Sequence, residues 1–394
     1  MVDFLSRLFP QGLKNVFHFF IALGAVIYYR YPVRKLTVIG VTGTDGKTTT
    51  ATLIYHILKT VGIKVALVST VAAYLGDEKI DTGFHVTSPD PWSLQKLIKR
   101  IADEGFTHLV LEVTSHALDQ HRLLGSNFKI GVVTNITHEH LDYHKTYEAY
   151  LAAKAKLFQK TRFSVLNATD KSFDRLKQLA QGKIISYSDE DVSQLVKQRF
   201  LEPYNQLNAQ AAIAVVQLLD IDEITIQKGI ESFPGVEGRM QEVKNFLGIK
   251  IVIDFAHTPN ALEQALKSLR KQTQGRLIAV FGAAGKRDTG KRPLMGKVAS
   301  ELADEVVLTA EDPRGEDVNT IITQIKGGVS GNSGHMHGIV DRQEAINFAI
   351  TKLARAGDTV GIFGKGHERS INLNGRDELP WSDIKVVQQA LSLY

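Results

Sequence analysis

A chain of 394 residues, 43% hydrophobic and 23% charged, has the composition of an ordinary soluble protein of two or three domains. It contains no cysteine, which excludes disulfides, thiolate metal sites and cysteine nucleophiles and agrees with a reducing cytosol. The net charge of +5 is spread along the chain without a basic block, so a nucleic-acid partner is not indicated, whereas anionic substrates such as nucleotides suit it.

Residues 1–35 stand apart from the rest. The run 16–29, VFHFFIALGAVIYY, is apolar except for His18 and is flanked by Lys14, Arg30, Arg34 and Lys35. It is shorter than the roughly 20 residues of a comfortable bilayer span, and it lacks a small-x-small cleavage site. Three readings stay open: a helix docked on the protein body, an interfacial helix making peripheral membrane contact through 13–30, or a span. The expected location is cytoplasmic, on the cytoplasmic membrane face under the second reading.

The stretch 36–50, LTVIGVTGTDGKTTT, organises the remainder of the chain. Leu36, Val38, Ile39 and Val41 make an apolar, β-branched run, the pattern of a buried strand. Gly43, Thr44, Asp45 and Gly46 then form a turn whose glycines let backbone N–H groups approach an anion. Lys47 supplies a point charge for outer phosphates, and Thr48 a hydroxyl for Mg²⁺. Thr49 continues into a helix with Ala51, Leu53, Ile54, Ile57 and Leu58 on one face, so the positive helix end meets the phosphates. The strict Walker spacing asks for glycine at 41, where this chain has Val41.

From 36 to about 232, apolar strand candidates at 38–41, 65–69, 108–113, 130–135 and 164–167 alternate with helical stretches. Such alternation argues for a mostly parallel sheet covered on both faces. The turn-rich 233–239, FPGVEGR, reads as a linker. Strand candidates resume at 251–254, 277–281, 305–308 and 359–363, enough for a second α/β domain. The expected organisation is an apolar segment at 1–35, a central P-loop-type parallel-sheet domain at 36–235 and a Rossmann-like α/β domain at 236–394.

Glu112 ends an apolar strand and should emerge at the carboxyl edge of the sheet, where α/β folds bind ligands and a carboxylate can hold Mg²⁺. Downstream, Thr114, Gln120 and Arg122 are placed to grip an acidic substrate. After the 130–135 strand come Asn135 and three histidines, His138, His140 and His144. Zinc lacks support from thiolates or an HExxH helix, so a single histidine ligand fits better. In the helix 147–158, Lys154 and Lys156 fall on different faces, so one points into the site and the other into water.

The segments GVTGTDGKTTT, EVTSHALDQHR, TNITHEHLDYH and YLAAKAKLF resemble the Mur ligase family, and within it the MurE type, the UDP-N-acetylmuramoyl-dipeptide–diamino acid ligases. YNQLNAQAAIA (204–214), PGVEGRM (234–240), DFAHTPNALE (254–263), FGAAGKRDTGKRPLMG (281–296), TAEDPRGED (309–317) and GKGHE (364–368) agree, in order, to near the end of the chain. The resemblance implies ATP-dependent amide formation: a substrate carboxylate takes the γ-phosphoryl group, and an amine then displaces phosphate. A diamino acid as the added group and a peptide-nucleotide acceptor are implied with it; the apolar helix at the start of the chain keeps a lipid-linked acceptor open, and a monomer is expected.

By position, the resemblance implies that Lys47 holds phosphates and that Thr48 and Glu112 bind one Mg²⁺. His140 and a carbamylated Lys154 would serve a second Mg²⁺. Asn205 and Asn208 match positions near adenine; Arg239, Asp254 and His257 match ATP contacts. Thr87, Ser88, Thr114, Gln120 and Arg122 match the acceptor site. Arg287, Glu311, Asp312, Arg314, Gly364 and Glu368 match the pocket for the added amino acid. Glu311 and Asp312 stand where the diaminopimelate type has Asp and Asn, which keeps lysine and ornithine open. The family's uridine-binding domain is expected to be missing, and the 188–205 segment is short. An amide ligase of polyglutamate or cyanophycin type and an inactive nucleotide-binding scaffold are the alternatives.

Overall fold

The computed structural model describes residues 11–80, 89–137, 139–329 and 335–393. They form two compact units that divide between Pro234 and Gly235. The first begins with α1 (Gln11–Tyr28), β1 (Thr37–Thr42), α2 (Lys47–Thr60), β2 (Val65–Val68), β3 (Ala73–Leu75) and β4 (Glu78–Ile80). It continues with α3 (Pro91–Asp103), β5 (His108–Glu112), α4 (Ser115–Asp119), β6 (Phe128–Val133), α5 (Leu141–His144) and α6 (Tyr147–Ala155). Then come β7 (Phe163–Asn167), α7 (Phe173–Leu179), β8 (Lys183–Tyr187), α8 (Gln194–Arg199), α9 (Pro203–Gln217) and α10 (Glu223–Glu231).

The eight strands pair in the order β4-β3-β2-β5-β1-β6-β7-β8. Six are parallel, and β3 and β4 add an antiparallel meander at one edge. Both faces of β1 are buried, with Val38, Ile39 and Val41 fully inaccessible, which explains its unbroken apolar sequence. The chain leaves β1 towards β2 on one side and later crosses to β6 on the other. The crevice at the carboxyl end of β1 is therefore the switch point of the sheet, where ligands of such folds bind.

α1 settles which of the open readings its inner side obeys. Ala22 and Ala25 are fully buried, and Val26 packs so close to Gly125 that a Cβ there would lie 2.6 Å from Val26 Cγ2. One face is thus docked on the protein body. Among the described residues no helix is long and apolar enough to cross a membrane, so the spanning reading finds no support. The helix expected over 147–158 tightens into a 3₁₀ turn at Lys156–Gln159. Thr87 and Ser88 lie outside the described residues.

The second unit carries β9 (Gln241–Val243), β10 (Lys250–Asp254), α11 (Pro259–Gln272), β11 (Leu277–Phe281), α12 (Lys291–Leu302) and β12 (Glu305–Leu308). α13 (Val318–Lys326), β13 (Met336–Gly338), α14 (Arg342–Phe348), β14 (Thr359–Phe363), β15 (Ser370–Ile371), β16 (Leu379–Pro380) and α15 (Asp383–Leu391) complete it. Its main sheet runs β13-β12-β11-β14-β10-β9, parallel except for the edge strand β9. One face packs on Leu262, Leu266, Met295 and Ile325, the other on Ile346, Ile350, Val386 and Val387. Two mostly parallel sheets with covered faces are what the strand-helix alternation predicts.

Candidate active site

The turn after β1 is built by glycine geometry. Gly43 has φ +152°, and a Cβ on it would lie 1.8 Å from Thr134 Oγ1. Gly46 has φ +82°, and its Cβ would lie 2.2 Å from Asn208 Oδ1 on α9. Neither position admits a side chain. The turn is stapled to the exit of β6: Thr44 N donates to Asn135 O (2.8 Å), Asp45 N to Asn135 Oδ1 (3.0 Å), and Thr134 Oγ1 to Asp45 O (2.6 Å). Asn208 also receives Thr50 Oγ1 on its carbonyl and donates to Asn205 Oδ1 at 3.2 Å, so both asparagines lie beside the start of α2. Lys47 Nζ folds onto Thr44 O (2.8 Å) and Gly43 O (3.1 Å), and Thr49 lies in the first turn of α2.

Glu112, the last residue of β5, is buried and faces this turn. Its carboxylate accepts from Thr48 Oγ1 (3.1 Å to each oxygen) and from Thr70 N (2.9 Å). A buried carboxylate touching a buried hydroxyl at a phosphate-type turn is an oxygen donor set that suits a hard divalent cation. Among the described residues no group of three or more His, Cys, Asp or Glu side chains is gathered as a metal-holding cluster.

α6 brings in Lys154. The helix geometry separates the two lysines: Lys156 reaches Asp119 Oδ1 at 2.7 Å and stays partly in solvent, while Lys154 is 1% exposed. Lys154 Nζ donates to Gly43 O at 2.6 Å and lies 4.6 Å from the centre of the Tyr150 ring. Burial, then the neighbouring Lys47 charge, holds its pKa well below the ordinary lysine value. Tyr150, whose hydroxyl pairs with Thr44 Oγ1 (3.1 Å), is also 6.1 Å from the His140 ring, so Lys154 and His140 flank the same aromatic ring. His140 itself has φ +58° and packs edge-on against His116. His144 pairs with Ser115 Oγ, and burial followed by His116 lowers its pKa to about 4, so it is neutral at pH 7.

Beyond β5, Thr114 caps α4 through Ala117 N (3.2 Å). Gln120 donates to Tyr143 OH (3.3 Å) while its Oε1 is buried without a hydrogen-bond partner. Arg122 is half-buried, and desolvation lowers its pKa. These groups share one loop with Asp119.

In the second unit, Asp254 ends β10 and accepts from Met240 N (2.7 Å) and Ala256 N (2.8 Å). The Arg239 guanidinium lies 4.5 Å from the Phe255 ring centre, and His257 Nδ1 is 2.9 Å from Phe255 O. A second cluster forms at the ends of β12 and β14. Asp312 Oδ1 accepts from Lys365 Nζ (2.8 Å) and Asn372 N (3.0 Å), and Oδ2 from Arg314 Nη2 (3.3 Å). Lys365 also reaches Glu368 Oε2 at 2.5 Å. Burial opposes the Lys365 charge, but Glu368 and Asp312 prevail and raise its pKa. Glu311 is buried with Oε2 lacking a hydrogen-bond partner, and burial pushes its pKa up to about 7. Gly364, at φ +107°, holds its backbone against the Glu311 carboxyl. Arg287 is exposed on the loop after β11.

On sequence grounds the charge added at Asp312 opposes carboxylate ligands; the structure shows that charge already met by Lys365, Arg314 and a backbone amide. Lys365 is not among the residues expected in the site. Its only sequence signal is its place between the glycines of GKGHE, because its weight comes from burial. Tyr150 and Thr134 have no motif signal beyond their neighbours.

Comparison with known proteins identifies the family. Residues 41–227 match the Mur ligase middle domain and 238–366 the Mur ligase, glutamate ligase domain. The UDP-N-acetylmuramoyl-L-alanyl-D-glutamate–2,6-diaminopimelate ligase of Bacteroides fragilis is 36% identical over 94% of this chain and 81% of its own length. A solved structure of a ligase with the same name superposes with a TM-score of 0.60 at 34% identity, covering 91% of this chain and 79% of that one. A bifunctional folylpolyglutamate synthase/dihydrofolate synthase, solved with Mn, AMPPNP and L-glutamate bound, shares the fold at a TM-score of 0.69 and 18% identity, over 88% of this chain and 91% of that one. Matched on both sides of the Pro234/Gly235 division and related across nearly all its length to such ligases, the chain belongs to the Mur ligase family.

Proposed function

We propose that this chain is an ATP-dependent, ADP-forming ligase that joins an amino acid, in our reading a diamino acid, to the carboxylate of a muramoyl-peptide-like acceptor. The observation that carries this reading is the pairing of a phosphate-type turn with a buried lysine whose pKa burial and the neighbouring Lys47 charge hold well below the ordinary lysine value. Lys154 donates to the turn itself, at Gly43 O. A lysine amine without its proton is the form that adds CO₂, and the carbamate so formed exchanges a cation for an oxygen donor.

The turn amides, the α2 N-terminus and Lys47 bind the triphosphate. Lys47 is now occupied with loop carbonyls and swings to the phosphates when nucleotide arrives. Thr48 and Glu112 would hold one Mg²⁺, and His140 with a carbamylated Lys154 would hold a second; the ions would supply charge to neutralise the phosphates. Asn205 and Asn208 lie towards the base. Arg239, Asp254 and His257 belong to the nucleotide contacts of the second unit. Thr114, Gln120 and Arg122, with Thr87 and Ser88, orient the acceptor so that its carboxylate oxygen attacks the γ-phosphorus. The bond from that phosphorus to the ADP oxygen breaks, leaving an acyl phosphate. The incoming amine attacks the acyl carbon, sheds a proton, and phosphate leaves. Catalysis rests on positioning and charge neutralisation.

Arg314, Arg287, Glu311, Asp312, Gly364 and Glu368 form the pocket of the added amino acid. Arg314 pairs with its carboxylate and Glu368 with an ammonium. The acceptor is carried on a soluble nucleotide or on a lipid; peripheral membrane contact through 13–30 belongs with the lipid form.

The test is a panel of amino acids offered with MgATP and a UDP-muramoyl-dipeptide, read by phosphate release and product mass. Release that requires both acceptor and amino acid supports the reading. Folded protein that binds ATP yet releases no acceptor-dependent phosphate with any amino acid, on either the UDP-muramoyl-dipeptide or its lipid-linked counterpart, overturns it and leaves the scaffold alternative.

A further inference from the structure

α1 buries one face on the protein and leaves the other uncovered. Val16, Phe17, Phe20, Ile27 and Tyr28 are 53–69% exposed. They recur at intervals of three to four and seven to eight residues, with Gly24 between them, and so form one stripe roughly 18 Å long. Trp92, itself exposed on α3, stacks 5.4 Å from Tyr28 and 6.1 Å from Tyr29, extending the stripe with amphipathic rings. Along the chain the flanks of this helix are basic. From Phe4 to Thr44 the sequence holds Arg7, Lys14, Arg30, Arg34 and Lys35 and no acidic residue.

We infer that this face of α1 docks on an anionic lipid surface. The apolar stripe enters the headgroup boundary, Trp92 and the tyrosines sit at its polar edge, and the flanking cations meet lipid phosphates. A second copy of the chain fits less well. The five side chains offer on the order of 500 Å², below the roughly 800 Å² per partner of a stable interface. Pairing two such helices also brings their basic flanks together.

The inner side of the same helix reaches the loop after β5. Asn15 Nδ2 donates to Asp119 Oδ2 at 3.1 Å, and Phe19 packs edge-on to His121 at 5.6 Å. The lipid-facing helix is thus bonded to the 114–122 loop, which comes to lie next to the membrane surface. The docking itself stands apart from the ligase reading.

The experiment uses the full chain and vesicles of phosphatidylcholine, alone or with roughly a third phosphatidylglycerol, read by co-flotation. The expected result is capture by the anionic vesicles, weak capture by the neutral ones, and release as salt rises towards about 0.5 M. The double variant Phe20→Glu, Ile27→Glu should lower partitioning at least about tenfold, and Arg34→Glu, Lys35→Glu should remove the preference for anionic lipid. All four positions are exposed or flanking, and a thermal melt verifies folding. Folded protein that ignores anionic vesicles, or that binds them unchanged after Phe20→Glu, Ile27→Glu, overturns the inference. So does light scattering that finds a dimer lost in that variant while vesicles stay bare, which assigns the stripe to a second copy. No nucleotide or acceptor is present, so a negative result leaves the ligase reading untouched.

Discussion

Lys154 in the first unit and Lys365 in the second are buried alike, each about 1% exposed, and end in opposite states. Lys154 meets a backbone carbonyl, a tyrosine face and the charge of Lys47, and its pKa falls well below the ordinary lysine value. Lys365 sits between Asp312 and Glu368, and its pKa rises. Burial penalises both ammonium groups; what decides the outcome is whether carboxylates stand close enough to repay it. The first environment disfavours the ammonium form and the second favours it.

The largest expected effect comes from the first environment. Lys154→Ala should reduce ligase turnover by on the order of 10³-fold, with partial recovery on adding formate or acetate, whereas Lys154→Arg should not recover. Phosphate-release assays decide this, and full activity in either variant removes Lys154 from the mechanism.

The second environment predicts a stability loss instead. Lys365→Met leaves Asp312 buried without its main counter-charge and should cost about 3 kcal/mol in urea unfolding at pH 7. Lys154→Met, measured in CO₂-free buffer, should cost nothing or stabilise, because no ion pair is lost. The pH dependences separate as well. With its folded pKa lowered, Lys154 makes the unfolded chain the better proton binder, so its share of stability rises with pH up to the ordinary lysine value. With its folded pKa raised, Lys365 contributes fully below the ordinary lysine value and loses that contribution as pH rises through the raised one. Equal slopes for the two Met variants between neutral and alkaline pH would end the contrast.

Glu311 is the carboxylate counterpart. Its folded pKa of about 7 makes the folded chain the better proton binder from the ordinary glutamate value up to neutrality, so its share of stability falls as pH rises across that window. Glu311→Gln should flatten that fall and stabilise the protein above pH 7 by on the order of 2 kcal/mol. The smallest effect belongs to an exposed lysine. Lys59 pairs with Asp77 at 2.6 Å in solvent, and Lys59→Ala should change stability by less than about 0.5 kcal/mol.

What the sequence discloses divides along physical lines. Long apolar runs disclose the central strands, because a strand buried on both faces has no polar residue to hide it. The short strands β3, β4 and β9, three residues each, carry no periodic signal and escape. Glu112 shows itself by ending such a run. Lys154 and Lys156 are distinguishable as two faces of a helix, but which face turns inward depends on the Gly43 carbonyl, 111 positions away. The state of Lys365 depends on Asp312, 53 positions away, and no local pattern reports that. α1 is legible as apolar, while its division into a seated side and a bare side appears only once Ala22 and Ala25 are seen buried and Val26 seated on Gly125.

The staples from Thr134 and Asn135 to the turn after β1 bear on kinetics. Because folding itself has already fixed those amides, capturing a triphosphate demands almost no loop ordering, so association should run near the encounter limit set by charge and diffusion. Nucleotide residence time would then respond to Lys47 and the metal ligands. Loosening the turn through Asn135 would instead slow arrival, a difference that stopped-flow fluorescence resolves directly.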